Sequence, residues 1–156
     1  MQYTLTSSTL EPTRTISHQA PFTPTGIAEA ATRLRSWALI RGEKIVGLPF
    51  LRLSGNLRCD VHLPVAGTVR PHAETGIDHH HTSATPAVAV RVVSLDEVRP
   101  VLQALTSEIA SECGLNGAIE FHPASAEFRH GTVLWPVHRA SRSLVAASNG
   151  LVSVGA

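Results

Sequence analysis

The chain has few cysteines and little net charge, and each shortage excludes a class of protein. Its 156 residues include two cysteines, Cys59 and Cys113, in separate predicted elements and without the spacing of a metal site. We therefore expect two buried thiols in a reducing compartment. A formal net charge of +1 provides no basic surface for a nucleic acid or an anionic membrane, so neither partner is expected.

Long apolar runs are also missing. No run approaches the ~18 residues that a membrane-spanning helix needs. The first residues, MQYTLTSSTLEPTR, contain neither a basic nor an apolar signal region. We therefore expect a cytoplasmic protein. Hydrophobic residues make up 43% of the chain and charged residues 16%, a composition typical of a folded domain.

Apolar residues recur with the periods of helices and strands between residues 13 and 138. The predicted elements are a strand at 13–20, a helix from 25 to a stop at Gly42, a hairpin of strands at 45–53 and 57–65, a strand at 87–93, a helix from about Asp96 to Cys113, and strands at 117–123 and 132–138. The order strand–helix–strand–strand therefore occurs twice.

This order predicts an α+β fold. Two such units can form an antiparallel sheet with both helices on one face and a ligand cleft between the halves. The remaining segments are predicted to be irregular. Residues 1–12 are expected to form a flexible leader, residues 67–86 a polar loop, and residues 140–156 a C-terminal tail.

Short segments within these elements match, in the right order, those of a known family. They are GLPF at 47–50, DVHLPV at 60–65, AVAVRVV at 87–93, ECGL at 112–115, AIE at 118–120 and LWPV at 134–137. Over residues 13–139 the chain resembles the GyrI-like small-molecule-binding family, the effector-binding domain of bacterial transcription activators. Members occur behind a DNA-binding helix-turn-helix, as stand-alone drug-binding or gyrase-modulating proteins, and as hydrolases of cyclopropane-containing natural products. Because no helix-turn-helix precedes residue 13, we expect a stand-alone form.

Glu120 is the strongest candidate for a functional residue. It is a carboxylate inside an apolar strand, where a charge must face water or find a partner. The resemblance implies a ligand-facing Glu at this position, at the bottom of an aromatic-lined pocket. The alternative is an edge carboxylate paired with Arg129 or Arg139. Strand alternation places His122 on the same face, where members of the family commonly have an aromatic residue.

Four other residues are candidates for lining a ligand site. Phe50 and Trp135 are candidate pocket walls, because each large ring in a chain with 4% aromatic residues is expected to pack against something. Trp37, on the first helix, is either a pocket wall or a core residue. His62 lies on the polar side of its strand and is either part of the site or solvated.

The run His79–His81, directly after Asp78, raises the question of a metal site. Imidazole is the commonest ligand of transition metals. Adjacent histidines rarely all coordinate one ion, and no second cluster with metal-ligand spacing is present. We therefore expect an exposed flexible loop, no metal and no cofactor.

Two functions are compatible with these residues. One is a binding protein that sequesters or senses a mainly apolar compound, with Glu120 as its polar anchor. The other is a hydrolase in which Glu120 and His122 are catalytic and activate water. A protein partner, as in gyrase modulators, is left open, although no specific feature of the sequence indicates one. Binding without catalysis is the preferred prediction.

Overall fold

A computed structural model describes residues 2–53, 58–66, 76–108, 118–137 and 151–153, and every structural statement below concerns these residues. They form two α-helices, α1 (Pro24–Ile40) and α2 (Val98–Glu108), with a 3₁₀ turn at Leu95–Glu97 before α2. The strands are β1 (Gln2–Leu10), β2 (Thr13–Pro21), β3 (Lys44–Ile45), β4 (Phe50–Leu53), β5 (Arg58–Ala66), β6 (Asp78–Thr82), β7 (Thr85–Val92), β8 (Ile119–Pro123), β9 (Gly131–Pro136) and β10 (Leu151–Ser153). The predicted α+β class, with its repeated strand–helix–strand–strand order, is confirmed.

The chain divides into two compact units. Residues 12–83 form one, which we call the α1 unit, and residues 1–11 with 84–156 form the other, which we call the α2 unit. In the described part of the chain, each unit contains one α-helix and antiparallel strands. Neither α1 nor α2 is long and apolar enough to cross a membrane.

The sheet of the α1 unit has the strand order β4-β5-β2-β6, and β3 also pairs with β5. Helix α1 begins where the side chain of Thr23 accepts a hydrogen bond from the backbone N–H of Gly26, with Pro24 in the first turn. It ends before Gly42, whose φ of +70° suits glycine. The helix packs on β2 and β5. The buried apolar side chains are Ile16, Ala20, Cys59, Val61 and Leu63 from the strands and Ile27, Ala30, Ala31, Leu34 and Ala38 from the helix.

The strands of the α2 unit lie in the order β10-β1-β7-β9-β8. Side chains alternate between the two faces of each strand, so one face collects the apolar residues. That face is buried and consists of Leu5, Val88, Val90, Phe121, Val133 and Trp135. The apolar stripe of α2, namely Val98, Val101 and Leu105, is buried as well.

The prediction of a flexible leader over residues 1–12 is wrong for Gln2–Leu10. These residues form β1, which pairs with β7 from Leu5 to Leu10 and with β10 through its first residues. The sequence did not reveal this strand for two reasons. Its partner β7 is distant in sequence, and the Ser and Thr residues of β1 interrupt the alternation of apolar and polar side chains. Leu151–Ser153, within the predicted tail, likewise forms a strand, because it pairs with the first residues of β1.

The prediction of an exposed flexible loop around His79–His81 is also wrong. These residues lie in β6, which pairs with β2 from Thr13 to Ser17. Three adjacent histidines have no apolar alternation, so the sequence did not reveal the strand. The predicted strand at 45–53 is interrupted between β3 and β4. The predicted end of the second helix at Cys113 lies outside the described residues.

Candidate functional site

Glu120 and His122 lie on the same face of β8 and are hydrogen-bonded to each other. Nε2 of His122 lies 2.8 Å from Oε1 of Glu120 and donates to it. Glu120 is only 6% exposed, while His122 is half-buried. We call these two residues the carboxylate pair. It places an acceptor-only group inside the protein and a titratable ring beside it.

The strand register defines the surroundings of the carboxylate pair within the α2 unit. Glu120 is opposite Leu134 on β9, which in turn is opposite Ala89 on β7. His122 is opposite Thr132, which is opposite Arg91. The two nearest positions in the row of Glu120 are therefore apolar, and the two nearest in the row of His122 are polar. A carboxylate with apolar neighbours suits a positively charged group carried on an apolar body.

Of the two arginines predicted as alternative partners of Glu120, only Arg129 lies among the described residues. The guanidinium of Arg129 forms an ion pair with Glu127, with Nε 3.0 Å from Oε2, and both side chains are exposed. Arg139 lies outside the described residues. Among the described residues, Glu120 contacts the imidazole of His122, which is positively charged only when it is protonated.

Trp135 is not brought together with Glu120. It is opposite Val88, and it neighbours Leu134, the residue opposite Glu120, so its ring lies on the other face of the sheet. Trp135 is buried, and its indole Nε1 has no hydrogen-bond partner among the described residues. It therefore belongs to the apolar face of the α2 unit rather than to the face of the carboxylate pair.

A second polar cluster occurs in the α1 unit. Nδ1 of His62 lies 2.8 Å from Oγ1 of Thr15, and Nε2 of His80 lies 2.9 Å from Oγ of Ser17. The two imidazole rings are 4.9 Å apart. We call these four residues the histidine network. Phe50 stacks on His62, with ring centroids 5.1 Å apart and an angle of 13° between the ring planes.

The histidine network is largely buried. His62 is fully buried, and Thr15, Ser17 and Phe50 are buried with it. The alternative that His62 is solvated is therefore wrong. Burial lowers the pKa of His80, and the charge of Arg52 lowers it further, against the opposing effect of Asp78 and Asp60. The sequence signal that could have revealed this network is the alternation of Thr13, Thr15 and Ser17 on β2.

Trp37 lies on α1, among the buried residues of its apolar stripe. The guanidinium of Arg41 lies 5.3 Å from the centre of its ring, a cation–π contact. Arg33 of α1 lies 3.1 Å from His18, which is opposite Val61 on β5, so α1 and its Trp37 lie on the face of Val61 and not on that of the histidine network. It is a core residue of the α1 unit.

The remaining metal and thiol candidates offer little chemistry. Among the described residues, no group of three or more His, Cys, Asp or Glu side chains is arranged to hold a metal ion. Burial raises the pKa of the Cys59 thiol to about 11. A thiol that stays protonated at neutral pH is a poor nucleophile and a poor ligand.

Comparison with known proteins identifies the fold. No family profile and no curated protein matches the chain. It is similar to the crystal structure of the EcmrR C-terminal domain, with a TM-score of 0.63, 13% identity, and coverage of 90% of this chain and 100% of that one. It is also similar to EcmrR in a cryo-EM structure of the EcmrR–DNA complex in EcmrR-RPo, with a TM-score of 0.69 and 11% identity over 88% of this chain. The chain spans 58% of the EcmrR chain in that complex.

A third similar structure is that of SAV2435 bound to tetraphenylphosphonium. The TM-score is 0.50 and the identity 11%, with coverage of 88% of this chain and 94% of that one. The chain therefore has the fold of the EcmrR C-terminal domain and of SAV2435. At the level of the fold, the predicted resemblance to the GyrI-like family is confirmed.

Proposed function

We propose that the protein binds a small, mainly apolar molecule and that Glu120 is the polar anchor that holds a positive group of this ligand. The observation that carries the proposal is a carboxylate that is 6% exposed and hydrogen-bonded to an imidazole. A buried carboxylate is strongly stabilised by a positive charge and unfavourable without one. A lipophilic cation would add a permanent positive charge next to this carboxylate.

The neighbours of Glu120 support a ligand with an apolar body. Leu134 and Ala89 share its row, and both are at least partly buried. A ligand that buries apolar surface against them gains free energy in proportion to the area removed from water, roughly 25 cal/mol per Å². The fold shared with SAV2435, whose structure holds tetraphenylphosphonium, adds support for a ligand of this kind. The predicted cleft between the two halves stays a prediction.

The test uses two probes with the same shape and opposite charge. Tetraphenylphosphonium and tetraphenylborate are titrated into the wild type and into Glu120→Gln by isothermal titration calorimetry. We expect the wild type to bind the cation and discriminate against the anion. Glu120→Gln should bind the cation at least about tenfold more weakly, because a hydrogen-bonded or ion-paired charge is lost.

Glu127→Gln is the matched control, since Glu127 is an exposed carboxylate of the same unit. This variant should bind like the wild type. Thermal unfolding of each variant checks that it is folded. Equal affinity of the wild type for both probes, or no loss of affinity in Glu120→Gln, would contradict the role of Glu120 as an anchor.

A second candidate function is hydrolysis, favoured by the 2.8 Å contact of Glu120 with His122. A carboxylate paired with an imidazole can accept a proton from water while the imidazole delivers a proton to a leaving atom. The test is mass spectrometry after incubation with cyclopropane-type electrophiles. A product equal to the ligand plus water, absent with Glu120→Gln, would identify a hydrolase. Recovery of the unchanged ligand would favour binding alone.

A further inference from the structure

We propose that the exposed surface at the end of α1 binds a second copy of this chain, so that the protein forms a two-fold symmetric dimer. Five large hydrophobic side chains are exposed among the described residues, and four of them lie in the ten positions 39–48 of the α1 unit. They are Leu39 (73% exposed), Ile40 (84%), Val46 (55%) and Leu48 (44%). We call these four residues the apolar patch. Single exposed apolar side chains are common in proteins, whereas a cluster of them marks an interaction surface.

Packing inside the α1 unit does not explain the apolar patch. The buried stripe of α1 ends with Ala38, and Ile40 lies outside it. Residues four apart share a face of a helix, so Thr32, Ser36 and Ile40 form one row, and all three are exposed. This row is polar for two turns and becomes apolar only at the last turn, although a helix normally presents polar residues to water.

The backbone keeps the two halves of the apolar patch near each other. The N–H of Glu43 donates to the carbonyl oxygen of Ala38, which directly precedes the first half, with a distance of 2.8 Å. The N–H of Val46 donates to the carbonyl oxygen of Pro64 on β5, at 3.1 Å. Val46 lies within about 10 Å of Glu43, because an extended chain advances by at most about 3.5 Å per residue. One interface of standard size, about 800 Å² on each partner, is wide enough for the whole patch.

The charges between the two halves of the patch indicate which partner covers it. Glu43 is half-buried and Lys44 is exposed. Oε2 of Glu43 is buried and has no hydrogen-bond partner among the described residues. A carboxylate oxygen in this situation is stabilised by a cation. A two-fold axis at the patch brings Lys44 of each copy towards Glu43 of the other, so that two equivalent ion pairs form.

Other partners fit the patch less well than a second copy does. A lipid surface or a protein surface with charge of one sign attracts only one of Glu43 and Lys44 and repels the other. A second copy offers a charge of each sign together with an apolar surface of the same kind. Two-fold dimers are also the commonest symmetric assemblies of proteins. Because the patch contains only four side chains, we expect a weak and reversible dimer.

The first experiment is sedimentation velocity of the full chain, from about 1 to about 300 µM. The average mass of the wild type should rise with concentration, from that of one chain towards that of two. Ile40→Glu places a charge in the apolar patch and should raise the dissociation constant of the dimer at least about tenfold. Val93→Glu is the matched control, because Val93 is 75% exposed and belongs to the α2 unit. This variant should dimerise like the wild type.

A charge reversal tests the ion pairs. Glu43→Lys and Lys44→Glu should each weaken the dimer, because the two facing surfaces then carry charges of the same sign. An equimolar mixture of the two variants should associate again, since one copy now carries the positive charges and the other the negative charges. Thermal unfolding of each variant checks that it is folded.

Three results would overturn the proposal. They are a wild type that stays monomeric over the whole concentration range, a loss in Val93→Glu as large as that in Ile40→Glu, and a mixture of the charge variants that does not associate. Flotation of a monomeric wild type with phosphatidylcholine vesicles would assign the patch to a lipid surface and overturn the proposal as well. None of these measurements uses tetraphenylphosphonium, so they leave the proposed function untouched.

Discussion

The carboxylate pair and the histidine network are both polar clusters on strands, but they differ in charge and in burial. In the network each imidazole is hydrogen-bonded to one hydroxyl, His62 to Thr15 and His80 to Ser17, and His62 is fully buried. The carboxylate pair contains an acceptor-only group and a half-buried ring. Neutral groups can complete their hydrogen bonds inside a protein, whereas a carboxylate keeps a need for positive charge. We therefore propose that the network contributes to structural stability and that the pair contributes to ligand binding.

The largest expected effect comes from removing the buried ring of the network. His62→Ala deletes a ring that stacks on Phe50 and leaves the hydroxyl of Thr15 without this partner. We expect the free energy of unfolding to fall by about 4 kcal/mol, from the cavity and the lost hydrogen bond together. Urea denaturation followed by circular dichroism measures it.

Two variants complete this comparison. His81→Ala removes an exposed histidine from β6 and should change the stability by less than about 0.5 kcal/mol. Glu120→Gln should change it by less than about 1 kcal/mol, because residues arranged for binding often contribute little to stability. A loss in Glu120→Gln as large as that in His62→Ala would reverse the assignment of the two clusters.

A smaller effect is expected at Gly131, directly beside the carboxylate pair. A Cβ atom here would overlap the carbonyl oxygen of His122 and lie 2.8 Å from Cα of Pro123, so β8 and β9 would have to separate. Gly131→Ala should destabilise the protein by about 2 kcal/mol and weaken ligand binding with it. Thermal unfolding and calorimetric titration measure the two effects.

Gly47 provides the matched position in the α1 unit. A Cβ atom there would meet only the side chain of Pro64, at 3.3 Å, and that ring can shift slightly. Gly47→Ala should therefore leave both stability and ligand binding nearly unchanged. Equal effects of the two substitutions would mean that the lack of space for a Cβ atom at Gly131 does not determine the stability of the β8–β9 pair.

The smallest effect is the pH dependence that the network gives to stability. Because burial and Arg52 lower the pKa of His80 below its ordinary value of 6.5, the unfolded chain binds this proton more readily than the folded chain. The stabilising contribution of neutral His80 is complete above pH 6.5 and is lost as the pH falls through 6.5 towards the lower pKa of the folded state. The Tm of the wild type should therefore decrease more steeply below pH 6.5 than that of His80→Gln. Parallel Tm curves would show that the protonation of His80 is not coupled to folding.

The sequence predicted the elements whose apolar periodicity is strong. Helix α1 and strands β5, β7, β8 and β9 lie close to their predicted positions. Strands β1, β6 and β10 were missed because they acquire their regular structure from partners distant in sequence. The side chains of β1 and β6 are rich in Ser, Thr and His and give no apolar alternation.

The candidate site was predicted only in part, for a similar reason. Alternation within one strand places Glu120 and His122 on the same face, and it places His62 on the polar side of β5. Alternation does not give the register between strands. The burial of His62 beside Thr15 depends on how β5 pairs with β2, and the position of Trp135 on the face opposite Glu120 depends on how β9 pairs with β8.

The pairing of β1 with β7 has a consequence for the order of assembly on the ribosome. Thr6 and Ala89 are paired across 83 positions of the chain. All strands of the α1 unit are synthesised before β7. The α1 unit can therefore fold while β1 is still unpaired. Contacts between residues distant in sequence slow folding, because a long loop must close first. The α2 unit, which contains the carboxylate pair, is therefore expected to be the last part of the protein to become functional after synthesis.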